Sequence, residues 1–200
     1  ISKLDANGNK LWTQLIGSSE YDASKHIHIK EDGSIYITGH TSGTLNDQTN
    51  NGSYDAFVSK LDGNGNELWT QLIGSSNMDF ASDIEITQDD SIYIGGRTYG
   101  NIDDQVNNGS YDGFISKLDA NGNKLWTQLI GSNNFDNVTD IEIGINGSIY
   151  ITGSTYGNLN GQVNSGKNDI FFMSLTEINH IEGSALNDIL QVTTTNDSID

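Results

Sequence analysis

Polar and apolar residues alternate over short runs along most of the chain. In "DAFVSKLD" (Asp55–Asp62), Phe57, Ser59 and Leu61 fall on one face, and Val58 and Lys60 on the other. "SDIEIT" (Ser82–Thr87) sets Ile84 and Ile86 against Asp83 and Glu85. "ELWTQLIG" (Glu67–Gly74) and "SIYIGGRT" (Ser91–Thr98) are strand-length runs rich in β-branched and aromatic residues. A period of two with such residues predicts strands, and no stretch carries a helical period. Between the runs lie Asn-Gly and Asp-Gly pairs, as at Asp32-Gly33 and Asn146-Gly147, which accept the positive φ of tight hairpins. Asp90 takes the place of that glycine in the middle copy, which predicts a weaker turn or one of another type.

The same phrase recurs. "KLDANGNKLWTQLIGS" at Lys3–Ser18 returns at Lys60–Ser75 with two changes and unchanged at Lys117–Ser132, and Trp12, Trp69 and Trp126 mark a period of 57 residues. The units run over 1–53, 54–110 and 111–167, residues 168–175 ("NDIFFMSL") open a further one, and 176–200 leave the pattern. Four strands per unit, in chain order 55–62, 67–74, 82–87 and 91–98 in the second copy, give a small sheet that cannot keep both faces dry alone. Stacked units would cover each other's isoleucines and tryptophans. Burying one aromatic of roughly 150–250 Å² is worth about 4–6 kcal/mol as an upper bound. Tandem four-stranded units of this period predict an all-β fold of β-propeller blades. Closed propellers take about 4–8 blades, so three blades and one strand predict an open arc. Its further blades would come from a longer parent chain, since the sequence starts inside a unit at the position of Val58 and Ile115.

Composition narrows the partners. Nine basic residues against 27 acidic ones leave a net charge of −18, which repels phosphate backbones and argues against nucleic acid. There is no cysteine for disulfide or thiol chemistry and no proline. No apolar run reaches the ~18–20 residues of a membrane helix.

The pattern Asp-x-Phe-[Val/Ile]-x-Lys-Leu-Asp, Gly-Asn-x-Leu-Trp, Gly-Ser-Ile-Tyr-Ile-Thr-Gly-x-Thr resembles the bacterial SBBP repeat, a β-propeller repeat named for seven-bladed assemblies. Asp55, Phe57, Lys60, Leu61, Asp62, Gly65, Asn66, Leu68, Trp69, Gly96 and Thr98 carry the likeness, which covers residues 1–175. It implies the propeller fold and a place in a large secreted or surface protein. In the tail, "LNDIL" (Leu186–Leu190) and "TNDSI" (Thr195–Ile199) lie nine residues apart, downstream of Gly183. They are similar to calcium-binding nonapeptides of the repeats-in-toxin type. That resemblance implies Asp188 and Asp197 as ligands of Ca²⁺, a cation that prefers oxygen, with Leu190 and Ile199 packed inside. Leu186 and Thr195 stand where that family has glycine.

Other candidates have plainer readings. The Asp-x-Asn-Gly-Asn segments (Asp5, Asp62, Asp119) place oxygens at alternate positions as calcium loops do, yet lack a further acidic ligand and read as hairpin turns. His26 and His28 share a strand face and could share a metal, but Asp83 and Glu85, then Asp140 and Glu142, take their places in the other copies. That describes a polar face. Asp55, Asp112 and Asp169 precede a strand and are expected to bond nearby amides. Tyr99 and Tyr156 open the long loops, where an aromatic rim could stack on sugars or peptides. No Gly-x-Ser-x-Gly elbow or phosphate loop occurs. The units differ too little to build one asymmetric active centre. The expected function is a non-catalytic extracellular scaffold or binding and adhesion module of a large bacterial protein. Its partners would be neighbouring blades and an unknown protein or carbohydrate ligand. One alternative is a calcium-binding secreted protein, with the tail opening a calcium-folded array. A weaker one is a hydrolase or lyase with its active site in missing blades.

Overall fold

A computed structural model describes residues 1–145 and 147–175. It is all-β, with no helix among the described residues and 13 strands. In chain order these are β1 (Ser2–Leu4), β2 (Lys10–Thr13), β3 (Asp22–Ile29), β4 (Ile35–Thr41), β5 (Asp55–Leu61), β6 (Glu67–Ile73), β7 (Asp79–Ile86), β8 (Ile92–Thr98), β9 (Asp112–Leu118), β10 (Lys124–Ile130), β11 (Asp136–Ile143), β12 (Ile149–Thr155) and β13 (Asp169–Leu175). They form four antiparallel sheets: β1-β2, β3-β4-β5-β6, β7-β8-β9-β10 and β11-β12-β13.

The strand grouping corrects the sequence expectation. The strands of 54–110 were expected to share a sheet, but β5 and β6 join β3 and β4, whereas β7 and β8 begin the next sheet. Loop length misleads here. Across the long loop 42–54, β4 and β5 pair without a break, from Thr41 with Asp55 to Ile35 with Leu61. The short link 74–78 instead leaves the sheet. The Ser75 amide donates to Asp79 Oδ2 at 2.7 Å and its hydroxyl to the same oxygen at 2.9 Å, turning the chain. Repeat and sheet are thus out of phase by two strands.

The long loops do not hang free. Leu45, Ile102 and Leu159 are buried in the core beneath turns whose central residues take positive φ: Asn46 and Asp47, Asp103 and Asp104, Asn160 and Gly161. Asp90 also adopts the left-handed region at φ 67. Its carboxylate pairs with Lys30 of the preceding sheet, a compensation that glycine could not supply.

A second departure from simple alternation lies in the first strand of each of the three larger sheets. The registers of β3, β7 and β11 shift between Ser24 and His26, between Ala81 and Asp83, and between Val138 and Asp140. Such a bulge inserts one residue and resets the parity of the strand. It puts Ala81 in the same core cluster as Ile84 and Ile86, and Val138 with Ile141.

The core lies between sheets. Tyr36, Ala56, Val58 and Ile73 of β3–β6 pack with Ile84, Ile86, Ile92, Ile94, Phe114 and Leu118 of β7–β10. One sheet further on, the equivalent Tyr93, Ile115 and Ile130 pack with Ile141, Ile149, Ile151, Phe171 and Met173. The tryptophans repeat their surroundings. Trp69 meets the edge of Tyr36 at 6.3 Å and Trp126 that of Tyr93 at 6.1 Å. Trp12 lies on the turn glycine Gly65, and Trp69 on Gly122. Both glycines also have positive φ, 86 and 83.

This double demand yields a prediction. A Cβ at Gly122 would come within 2.8 Å of the Trp69 ring, whereas at Gly8, with φ 84, it would meet nothing within 4 Å. Gly8→Ala should therefore lose about 1 kcal/mol for its backbone alone, and Gly122→Ala about 2–4 kcal/mol. Urea midpoints of the two variants check this, and equal losses would deny the stacking contact any role.

Candidate functional site

Two arrangements run across the sheets. The first lies on β3, β7 and β11, where the bulges aim equivalent side chains at the next sheet. His26 meets the Asp83 carboxylate, and His28 Nδ1 lies 3.4 Å from Glu85 Oε1. Asp83 Oδ2 accepts from the Ile141 amide at 2.7 Å, so it links β7 to β11. The histidines and carboxylates singled out in sequence thus form a ladder through three sheets.

Its electrostatics are uneven. Burial, joined by the Asp83 and Glu142 charges, pushes the Glu85 carboxyl up to about 7. Burial and the Asp83 carboxylate also raise Asp140. Burial and the neighbouring His26 lower His28. Among the described residues no group of three His, Cys, Asp or Glu is placed to hold a metal ion. The chemistry available is proton uptake and charge pairing between sheets.

The second arrangement is aromatic. Tyr21, His40, Tyr54, Phe80, Tyr99, Tyr111, Phe135 and Tyr156 form an unbroken stripe with centroid separations of 4.8–6.2 Å between successive contacting rings. Its members come from strand ends in three sheets. The Arg97 guanidinium lies 4.7 Å from the Phe80 centroid and 5.6 Å from that of Tyr111. Tyr99 and Tyr156, flagged in sequence, are two members. Phe80 and Phe135 escaped notice because Ala23 and Met78 stand at equivalent positions in other copies, which hides the stripe from a position-by-position comparison.

The remaining candidates resolve locally. In the Asp-x-Asn-Gly-Asn turn, Asp62 Oδ1 accepts from the Asn64 and Asn66 amides at 2.8 and 2.9 Å, and Oδ2 accepts from Asn66 Nδ2 at 2.8 Å. The Asn66 side-chain bond leads in holding the Asp62 carboxyl below its usual range. Asp5 and Asp119 make the same bonds, so these carboxylates serve turns. Asp55, Asp112 and Asp169 accept from the amides of Asn51, Asn108 and Ser165. Burial pushes Asp55 up to about 6. Asp188 and Asp197 lie outside the described residues.

Glu85 gives a pH prediction. An unfolded glutamate loses its proton near its ordinary value of 4.5, whereas the folded group keeps it to about 7. Between those values the folded state holds more protons, so this group's contribution to stability falls as pH rises. Asp55 acts in the same direction between 3.8 and about 6. Glu85→Gln should raise the thermal midpoint at pH 8 by several degrees, at roughly 2–4 °C per kcal/mol for a chain of this size. The gain should shrink at pH 5. A scan of Tm against pH on both proteins measures it, and a pH-independent gain would remove the titration from the explanation.

No family model matches the chain. It is 29% identical over 169 residues to the Regulatory protein FlaEY of Caulobacter vibrioides, an alignment covering 77% of this chain. The chain spans 18% of the length of that curated relative.

Proposed function

We propose that the chain is a non-catalytic scaffold or binding and adhesion segment of a larger extracellular bacterial protein, with its sheets arranged as blades of an open propeller arc. The single observation that carries this reading is the reuse of one packing surface. Trp69 and Trp126 have like partners, and Val58 and Ile115 are both fully buried between successive sheets. Such a surface extends by adding units, and it supports the SBBP resemblance of residues 1–175. Neighbouring blades of the same parent chain are the partners it fits best. The exposed apolar residues Ile27 and Ile29 on β3, and Ile170 and Phe172 on β13, occupy positions whose internal equivalents Ile84, Ile86, Ala56 and Val58 are buried.

A binding role accords with the chemistry of the molecule. The polar ladder bonds between sheets, the turn aspartates bond their own loops, and the stripe of rings is shared by three units instead of converging on one point. No helix of the described residues is long and apolar enough to cross a membrane. The likeness to a regulatory protein covers a small part of that protein and brings no activity with it.

Protease shaving tests the extracellular assignment. Intact host cells treated with trypsin should lose antibody signal for this segment, which carries nine Lys and Arg residues. Signal that vanishes only after lysis would place the segment inside the cell and end the adhesion reading.

A further inference from the structure

We infer that the aromatic stripe is a binding strip for an uncharged polysaccharide built of pyranose rings, which deepens the binding-module reading and rests on it. Tyr21, Phe135 and Tyr156 are 59%, 42% and 45% exposed, a high value for large aromatic side chains. Tyr99, Tyr111, Phe135 and Tyr156 follow one another at 5.0, 5.0 and 5.8 Å. The negative face of an aromatic ring attracts weakly positive C–H groups, and one face of a pyranose presents several of them together. A continuous row of rings offers successive sugars the same contact.

Polar atoms in the row lack partners within the protein. His40, 8% exposed between Tyr21, Tyr54 and Phe80, has a buried Nδ1 without a hydrogen bond. Burial lowers the pKa of this histidine, which favours the neutral imidazole. Asn137, at the position equivalent to Phe80, has a buried Oδ1 with no partner. Both atoms are enclosed by protein, so the contact offered to a sugar is that of the exposed ring faces.

Charge and backbone exclude the rivals. The eight rings of the stripe carry no formal charge with His40 neutral, Arg97 lies against two of them, and the Asp79 and Asp136 carboxylates bond Ser75 and Ser132. The net charge of −18 repels polyanions. A peptide adding as a strand needs free amides and carbonyls. Along the stripe, Asp79 donates to Tyr54 O, Tyr99 to Met78 O, Asp136 to Tyr111 O and Tyr156 to Phe135 O. Those backbone groups are already occupied.

Native affinity electrophoresis tests this, since the acidic chain migrates readily. Gels would contain hydroxyethyl cellulose, galactomannan, alginate or a proline-rich peptide conjugate. Retardation by at least one of the two uncharged polysaccharides is expected, with affinity reduced tenfold or more in Phe135→Ala/Tyr156→Ala. Leu68→Ala, exposed on β6 outside the stripe, should bind as the parent does. Circular dichroism confirms that the double variant folds. Migration unaffected by both uncharged polysaccharides, equal retardation of the double variant, or preference for alginate or the peptide would overturn the inference. Protease shaving reads the location independently, so failure here leaves the extracellular assignment to its own test.

Discussion

A four-stranded sheet with two apolar faces cannot stand alone in water, and this constraint organises the molecule. Burying apolar surface is worth roughly 25 cal/mol per Å², and the chain collects it between sheets, where Tyr36, Val58 and Ile73 meet Ile84, Ile92 and Phe114. Everything that repeats serves this contact. The tryptophan covers the turn glycine of the next sheet, and the glycine at that turn leaves room for it. The bulges in β3, β7 and β11 reset side-chain parity so that one strand can give its isoleucines to the core and its histidines or carboxylates to the neighbouring strand.

The same packing explains the electrostatics. Stacking equivalent strands brings equivalent side chains together, so a recurring acid at one position would face itself. His26 opposite Asp83 relieves this at one junction. Asp83 beside Asp140, and Glu85 beside Glu142, do not: burial, joined by these neighbouring carboxylates, raises Glu85 and Asp140. A repeat that keeps its apolar face constant can vary its polar one, which is how like units come to differ.

Much of the secondary structure was legible in the sequence. Alternation gave the strands, and Asn-Gly pairs gave the hairpins, because both depend on local backbone geometry. Strand partnership was not legible, because it turns on which loop crosses between sheets. The short link 74–78 does so through Asp79, while the long loop 42–54 returns to its own sheet with Leu45 in the core. Bulge parity was hidden for a related reason: one inserted residue leaves the composition of a strand unchanged. Of the site, single members could be read, such as His26, His28, Tyr99 and Tyr156. Their assembly into a ladder and a stripe is a tertiary fact, since Phe80 and Arg97 align with Tyr99 only when neighbouring sheets lie together.

The chain lacks cysteine, so pairs of engineered cysteines can carry spin labels without background. Pulsed dipolar spectroscopy on labels at equivalent sites, the exposed Leu68 with Leu125 on β6 and β10 and the half-buried Ser82 with the exposed Thr139 on β7 and β11, measures how the sheets diverge. Blades fanned about a common centre predict a Leu68–Leu125 separation well above the Ser82–Thr139 separation. Equal separations on the two sets of strands would describe a parallel stack and contradict the propeller arc.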